Sequence, residues 1–86
     1  MTEEQIKVLG FEKQIDESSE SKPFYYYTLD ITDGLSFITQ ANDEVKNGEW
    51  IVEMFEVSDI KFKDVKSLTK LINILNQNKD ENNTRI

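Results

Sequence analysis

Carboxylates are the side chains in this sequence numerous enough to suggest chemistry. Glu53 and Glu56, or Asp43 and Glu44, lie close enough along the chain to share acid–base work. Such work needs two carboxyls in different environments, one kept protonated and one ionised. Nothing beside these pairs resembles a nucleophile or an oxyanion donor, and the chain contains no histidine, the commonest general base. With Glu49, these residues read as an acidic surface for a partner: Asp43, Glu44, Glu49, Glu53 and Glu56. The plainer reading is a solvated, acidic sheet edge. The expectation is a protein without enzymatic activity, catalytic residues, cofactor or metal.

Other chemistries are weaker. Asp30-Ile31-Thr32-Asp33-Gly34 has the start of a calcium loop, but Ala41 stands at its twelfth position, where a bidentate Glu is required. The run Tyr25-Tyr26-Tyr27 could stack nucleobases. Strand alternation sends Tyr26 to one face and its neighbours to the other, and the surrounding acids oppose a phosphate backbone. Lys63, Lys66 and Lys70 fall within a narrow arc at 100° per residue, with Ile74 beside them. Three such lysines usually serve solubility; the sharper reading is contact with RNA or an acidic partner.

The elements that position these residues begin with Phe24-Tyr25-Tyr26-Tyr27-Thr28-Leu29-Asp30-Ile31, a stretch with the composition of a strand. Before it, Thr2-Glu3-Glu4-Gln5 has capping-box spacing, which predicts a short helix from about Glu3 to Leu9, ended by Gly10. Phe11 to Ile15 reads as a short strand and Asp16 to Lys22 as a loop. After it, Asp33-Gly34 and Asn47-Gly48 favour two-residue type I′ turns, whose central positions both need positive φ. Asp64 caps an amphipathic helix running to about Asn76 or Gln77, with Val65, Leu68, Leu71, Ile72 and Leu75 as its apolar stripe.

Two tight turns specify a register. Leu29 would face Ile38 and Ile38 would face Val57, with Tyr25, Tyr27, Ile31 and Ile51 on the same face. The opposite face would carry Phe24, Leu35 and Ala41 with the apolar patch Tyr26, Phe37, Trp50, Val52 and Met54. Ala41-Asn42-Asp43-Glu44 is poor strand material, so a bulge or wider loop there could shift the second register. One helix covers one face. The apolar patch on the other then implies a partner or a homodimer, unless the N-terminal helix covers it through Ile6 and Leu9.

The predicted fold is α+β: a three- to four-stranded antiparallel meander packed by the C-terminal amphipathic helix, with a short N-terminal helix. Residues 1–77 form one domain and 78–86 a flexible polar tail. Eighty-six residues without cysteine leave no disulfide framework. No apolar run approaches the roughly 20 residues needed to cross a bilayer, and the polar, acidic start is unlike a signal peptide. The expectation is a soluble protein of the cytoplasm, with no membrane partner. The formal charge of -7 is unevenly spread. Residues 30–59 hold eight acids against Lys46 alone, whereas residues 60–86 carry more bases than acids. Segregated charge creates local fields that select partners.

The segments Phe24–Ile31, Ala41–Glu44 and Glu49–Glu56, followed by the amphipathic helix, resemble a class of small proteins found in phages and prophages of AT-rich bacteria. The resemblance spans roughly residues 8–76 and assigns no functional residue. It implies a context: small acidic phage proteins without enzymatic motifs are often inhibitors of host defence, anti-CRISPR proteins among them. The resulting expectation is a binding protein in the bacterial host cell that blocks a defence complex, a protein or ribonucleoprotein such as a CRISPR effector. The alternative is a structural or housekeeping phage module that forms a homodimer through its sheet face.

Overall fold

A computed structural model describes residues 1–17 and 23–78 of the chain. Helix α1 (Glu3–Val8) precedes strand β1 (Glu12–Asp16), followed by β2 (Phe24–Thr32) and β3 (Leu35–Thr39). A short 3-10 turn (Asn42–Glu44) leads to β4 (Val52–Met54), β5 (Val57–Phe62) and helix α2 (Val65–Asn78). The strands form one five-stranded sheet in the order β1-β2-β3-β4-β5, each pair antiparallel. This is the α+β meander with two helices that the sequence predicts, with one strand more. The expected tail lies outside the described residues from residue 79 onward, as do residues 18–22 of the expected loop.

Both helix starts are as the sequence specifies. The Gln5 N–H donates to Thr2 Oγ1 at 3.2 Å, and the Thr2 N–H donates to Gln5 Oε1 at 2.9 Å. At α2 the Asp64 carboxylate accepts from the Ser67 N–H at 3.1 Å. These bonds satisfy amides that have no partner within the first turn of a helix. Past α1 the chain reverses at Gly10, whose φ of 99° suits glycine alone.

The turn at Asp33-Gly34 forms, and Thr32 pairs with Leu35 as expected. The register beyond it differs. The ladder skips Ile31 between Asp30 and Thr32, so Leu29 lies opposite Phe37 and Thr28 opposite Ile38. One extra residue in β2 moves every β3 side chain to the other face. Phe37 therefore joins Tyr25, Tyr27, Leu29 and Ile31 on a single face.

The second correction concerns Asn47-Gly48. Its turn forms, with φ of 56° and 71°, and Lys46 bridges Glu49 across it. It closes a small excursion over residues 40–51 and does not join β3 directly to β4. Ile38 thus faces Glu53, four residues from the expected Val57. The expected long strand from Glu49 is interrupted at Phe55-Glu56, where a tight turn starts β5.

One core results. Ile6 of α1, Leu68 and Ile72 of α2, and Phe11, Tyr27, Ile31, Phe37, Trp50 and Val52 are buried together. Both helices therefore lie against the same face of the sheet. Tyr27, Trp50 and Tyr25 pack as an aromatic trio with ring centroids 5.5–6.1 Å apart, Tyr27 meeting both neighbours edge to face. The expected apolar patch dissolves: Phe37, Trp50 and Val52 are core, Met54 packs against it, and only Tyr26 faces away. Helix α1 covers these core residues through Ile6, with Leu9 packed beside it, but from the same face as α2 and not from the opposite face that the sequence implied. It is tied down by the Met1 ammonium, which donates to the carbonyls of Trp50 and Lys63, both at 3.2 Å.

Candidate binding surface

With both helices on one side, no helix among the described residues lies over the other side of the sheet. Alternation from the core positions places Gln14, Phe24, Tyr26, Thr28, Ser36, Ile38, Glu53 and Lys61 there. Two contacts bind neighbouring strands across this face. Gln14 Nε2 donates to Thr28 Oγ1 at 3.1 Å, and Lys61 Nζ lies 3.6 Å from Glu53 Oε2. Phe24, Tyr26, Ile38 and, just before β4, Ile51 are half-buried, and none belongs to the core or packs against it. The face is thus a half-apolar sheet surface with polar and charged residues between its aromatic and aliphatic ones.

The acidic residues do not form one surface. Asp43, Glu44 and Glu49 are exposed on the excursion at the end of the sheet where β3 finishes. Glu56 sits at the opposite end, in the β4–β5 turn, and Glu53 lies between them beside Lys61. That second end also carries Asp33 and the exposed Phe55 and Val57, because the Phe55 N–H reaches Ser36 O at 2.9 Å beside the β2–β3 turn.

The excursion is held by polar side chains that periodicity does not single out. Gln40 Oε1 accepts from the Ile51 N–H at 2.8 Å, and Gln40 Nε2 donates to the Glu44 carbonyl at 3.2 Å. Strand β2 runs past the end of β3, and side chains take the amides left over. The Tyr25 N–H donates to Asn42 Oδ1 at 2.8 Å, and the Tyr27 N–H donates to Thr39 Oγ1 at 3.0 Å. The Asn and Thr in Thr39-Gln40-Ala41-Asn42 were the available signal, since such residues commonly satisfy backbone groups in turns.

Lys63, Lys66 and Lys70 are exposed, and Ile74 beside them is 55% exposed. A shallow concavity at the start of α2 is lined by Asp64, Val65, Lys66, Ser67, Thr69 and Lys70. The hydroxyl and N–H of Ser67 hold the Asp64 carboxyl below its ordinary pKa, so this helix start already carries its own anion. On the core side, the Tyr27 hydroxyl donates to Glu3 Oε2 at 2.7 Å. Burial, then that bond, raises the Tyr27 phenol well above its ordinary pKa. This pair joins α1 to β2. Among the described residues no group of three or more acids is placed to hold a metal ion, and no helix is long and apolar enough to cross a membrane.

No protein-family profile, curated protein or solved structure matches the chain.

Proposed function

We propose that this chain is a non-enzymatic binding protein of phage type that inhibits a host defence complex, such as a CRISPR effector, by occupying one of its surfaces. The phage and defence context rests on the resemblance of segments 24–31, 41–44 and 49–56. The observation that carries the binding role is the sheet face that no helix among the described residues covers. Phe24, Tyr26, Ile38 and Ile51 give it apolar contact area, and Gln14, Thr28, Ser36 and Glu53 give it hydrogen-bonding groups. Protein interfaces combine these features, with aromatic anchors ringed by polar groups. Because the acids are spread over two ends and one face, they act as flanking selectivity charges, and a phosphate-mimicking groove plug is the weaker version.

A second reading has its own support: Lys66 and Lys70 are exposed on α2 and Lys63 is exposed just before the helix starts, so RNA contact accompanies protein binding in this version. The test pairs reconstitution with variants. Purified effector complex is assayed for target cleavage with the wild-type chain, with Tyr26→Thr plus Ile38→Thr, and with Lys66→Glu plus Lys70→Glu. Inhibition by the wild type that is lost with the sheet-face variant supports the main reading, and loss with the lysine variant supports RNA contact. A host-lysate pull-down, split into nuclease-treated and untreated halves, supplies candidate complexes. If the chain captures only itself, and Tyr26→Thr plus Ile38→Thr abolishes that capture, the structural homodimer through the sheet face replaces inhibition.

A further inference from the structure

We propose that β1 is the seam of a twofold homodimer, pairing antiparallel with β1 of a second copy about Ile15. The two outer strands of the sheet are β1 and β5. In β5 the ladder to β4 is broken between Lys61 and Val57, so residues 58–60 bulge out of register. A bulge of this kind blunts an edge against further pairing. β1 has no such defect: Glu12 to Asp16 pair without interruption with Thr28 to Phe24. Alternate residues of this regular strand turn their N–H and C=O groups away from β2, as on any sheet edge.

The side chains select one register. Strands related by a twofold axis perpendicular to the sheet must place one residue opposite itself. Centring on Lys13 sets lysine against lysine, and centring on Gln14 sets Glu12 against Asp16 twice. Both are like-charge or near-axis repulsions that oppose pairing. Centring on Ile15 sets Ile15 against Ile15, Gln14 against Asp16, and Lys13 against Glu17 on both sides of the axis. Ile15 is 59% exposed on a strand that is otherwise polar, so it has surface to bury there. Lys13 and Glu17 are both exposed; Lys13 Nζ lies 4.1 Å from the centre of the Tyr25 ring of its own chain, a contact it shares or leaves on meeting Glu17 across the seam. The twofold closes the assembly at two copies and produces a ten-stranded sheet. This seam does not depend on what the bare sheet face binds.

The test is sedimentation equilibrium of the full chain at about 0.15 M salt, which screens repulsion between the acidic copies, over about 10 µM to 1 mM, the range suited to a contact smaller than ~1,000 Å². The mass rises from 10.1 kDa toward twice that value. Ile15→Asp abolishes the rise. Lys13→Glu and Glu17→Lys each weaken association by about tenfold, and combining them restores it. Far-UV circular dichroism of each variant confirms folding, and Glu17→Lys, at an exposed position beyond β1, guards against a folding defect at Lys13. Amide-exchange protection within 12–16 that grows with concentration supports the seam. A constant 10.1 kDa mass, association insensitive to Ile15→Asp, a double variant that fails to recover, or protection growing at 57–62 instead would each overturn it.

Discussion

At the residue scale, the most consequential contact outside the apolar core is Tyr27 with Glu3. A buried phenol donating to a carboxylate is a charge-assisted bond, worth about 1.5–3 kcal/mol when its partner is removed. Tyr27→Phe should cost about that much in chemical denaturation, with α1 loosening first because Glu3 is its first residue. The sign with pH follows from the raised phenol pKa. The folded state holds the proton more tightly than the unfolded chain, so this stability is complete below about pH 10 and is lost as pH rises above it. Tyr27→Phe should therefore flatten the alkaline fall in stability measured by urea unfolding; an unchanged slope would refute the assignment. Tyr25, also raised by burial and by Glu3, leaves a smaller residual slope.

At the element scale, the bulge at Ile31 decides which side of β3 is core. Phe37 is fully buried and Tyr26 is not. Phe37→Ala should cost about 3–5 kcal/mol, the range for emptying a packed aromatic site, whereas Tyr26→Thr should cost under about 1 kcal/mol. Similar losses at the two positions would mean that the register without a bulge is the true one. The β4–β5 turn supplies a second prediction. Glu56 has a φ of 69°, a left-handed conformation that strains residues other than glycine and asparagine. Glu56→Asn should raise stability by up to about 1 kcal/mol in thermal unfolding. A loss instead would show that the Glu56 side chain is itself held.

At the scale of the whole molecule, charge dominates. A net -7 on 86 residues disfavours compaction through self-repulsion. The strands and turns from Asp30 to Asp59 hold most of it, and the exposed lysines of α2 offset only part. Raising ionic strength from about 0.01 M to 0.5 M shortens the screening length from about 30 Å to a few ångströms, so the unfolding temperature should rise by several degrees. A fall would mean that attraction between the acidic middle and the basic helix outweighs the repulsion.

Local signals were legible in the sequence wherever one or two residues suffice. Thr2 with Gln5 and Asp64 with Ser67 made their caps, because a helix start needs only an acceptor three residues before an open amide. Gly10, Gly34 and Asn47-Gly48 made their reversals, because positive φ is a property of the residue; at Asp33-Gly34 the glycine alone takes it, so that turn is not the type I′ turn its dipeptide favours. The stripe through Leu68 and Ile72 named the buried side of α2. Which sheet face both helices cover was decided by the tertiary structure alone. Asn47-Gly48 turns the chain whatever strands it joins, so it could not reveal that residues 40–51 form an excursion held by Gln40 and Asn42. Nor does a strand's own composition disclose a bulge: Ile31 leaves the ladder because that slip lets Phe37, Val52 and Met54 share a face with Tyr27 beneath Ile6 and Leu68. Alternation has a period of two, so that single residue exchanged core for surface and turned the expected apolar patch into the protein's interior.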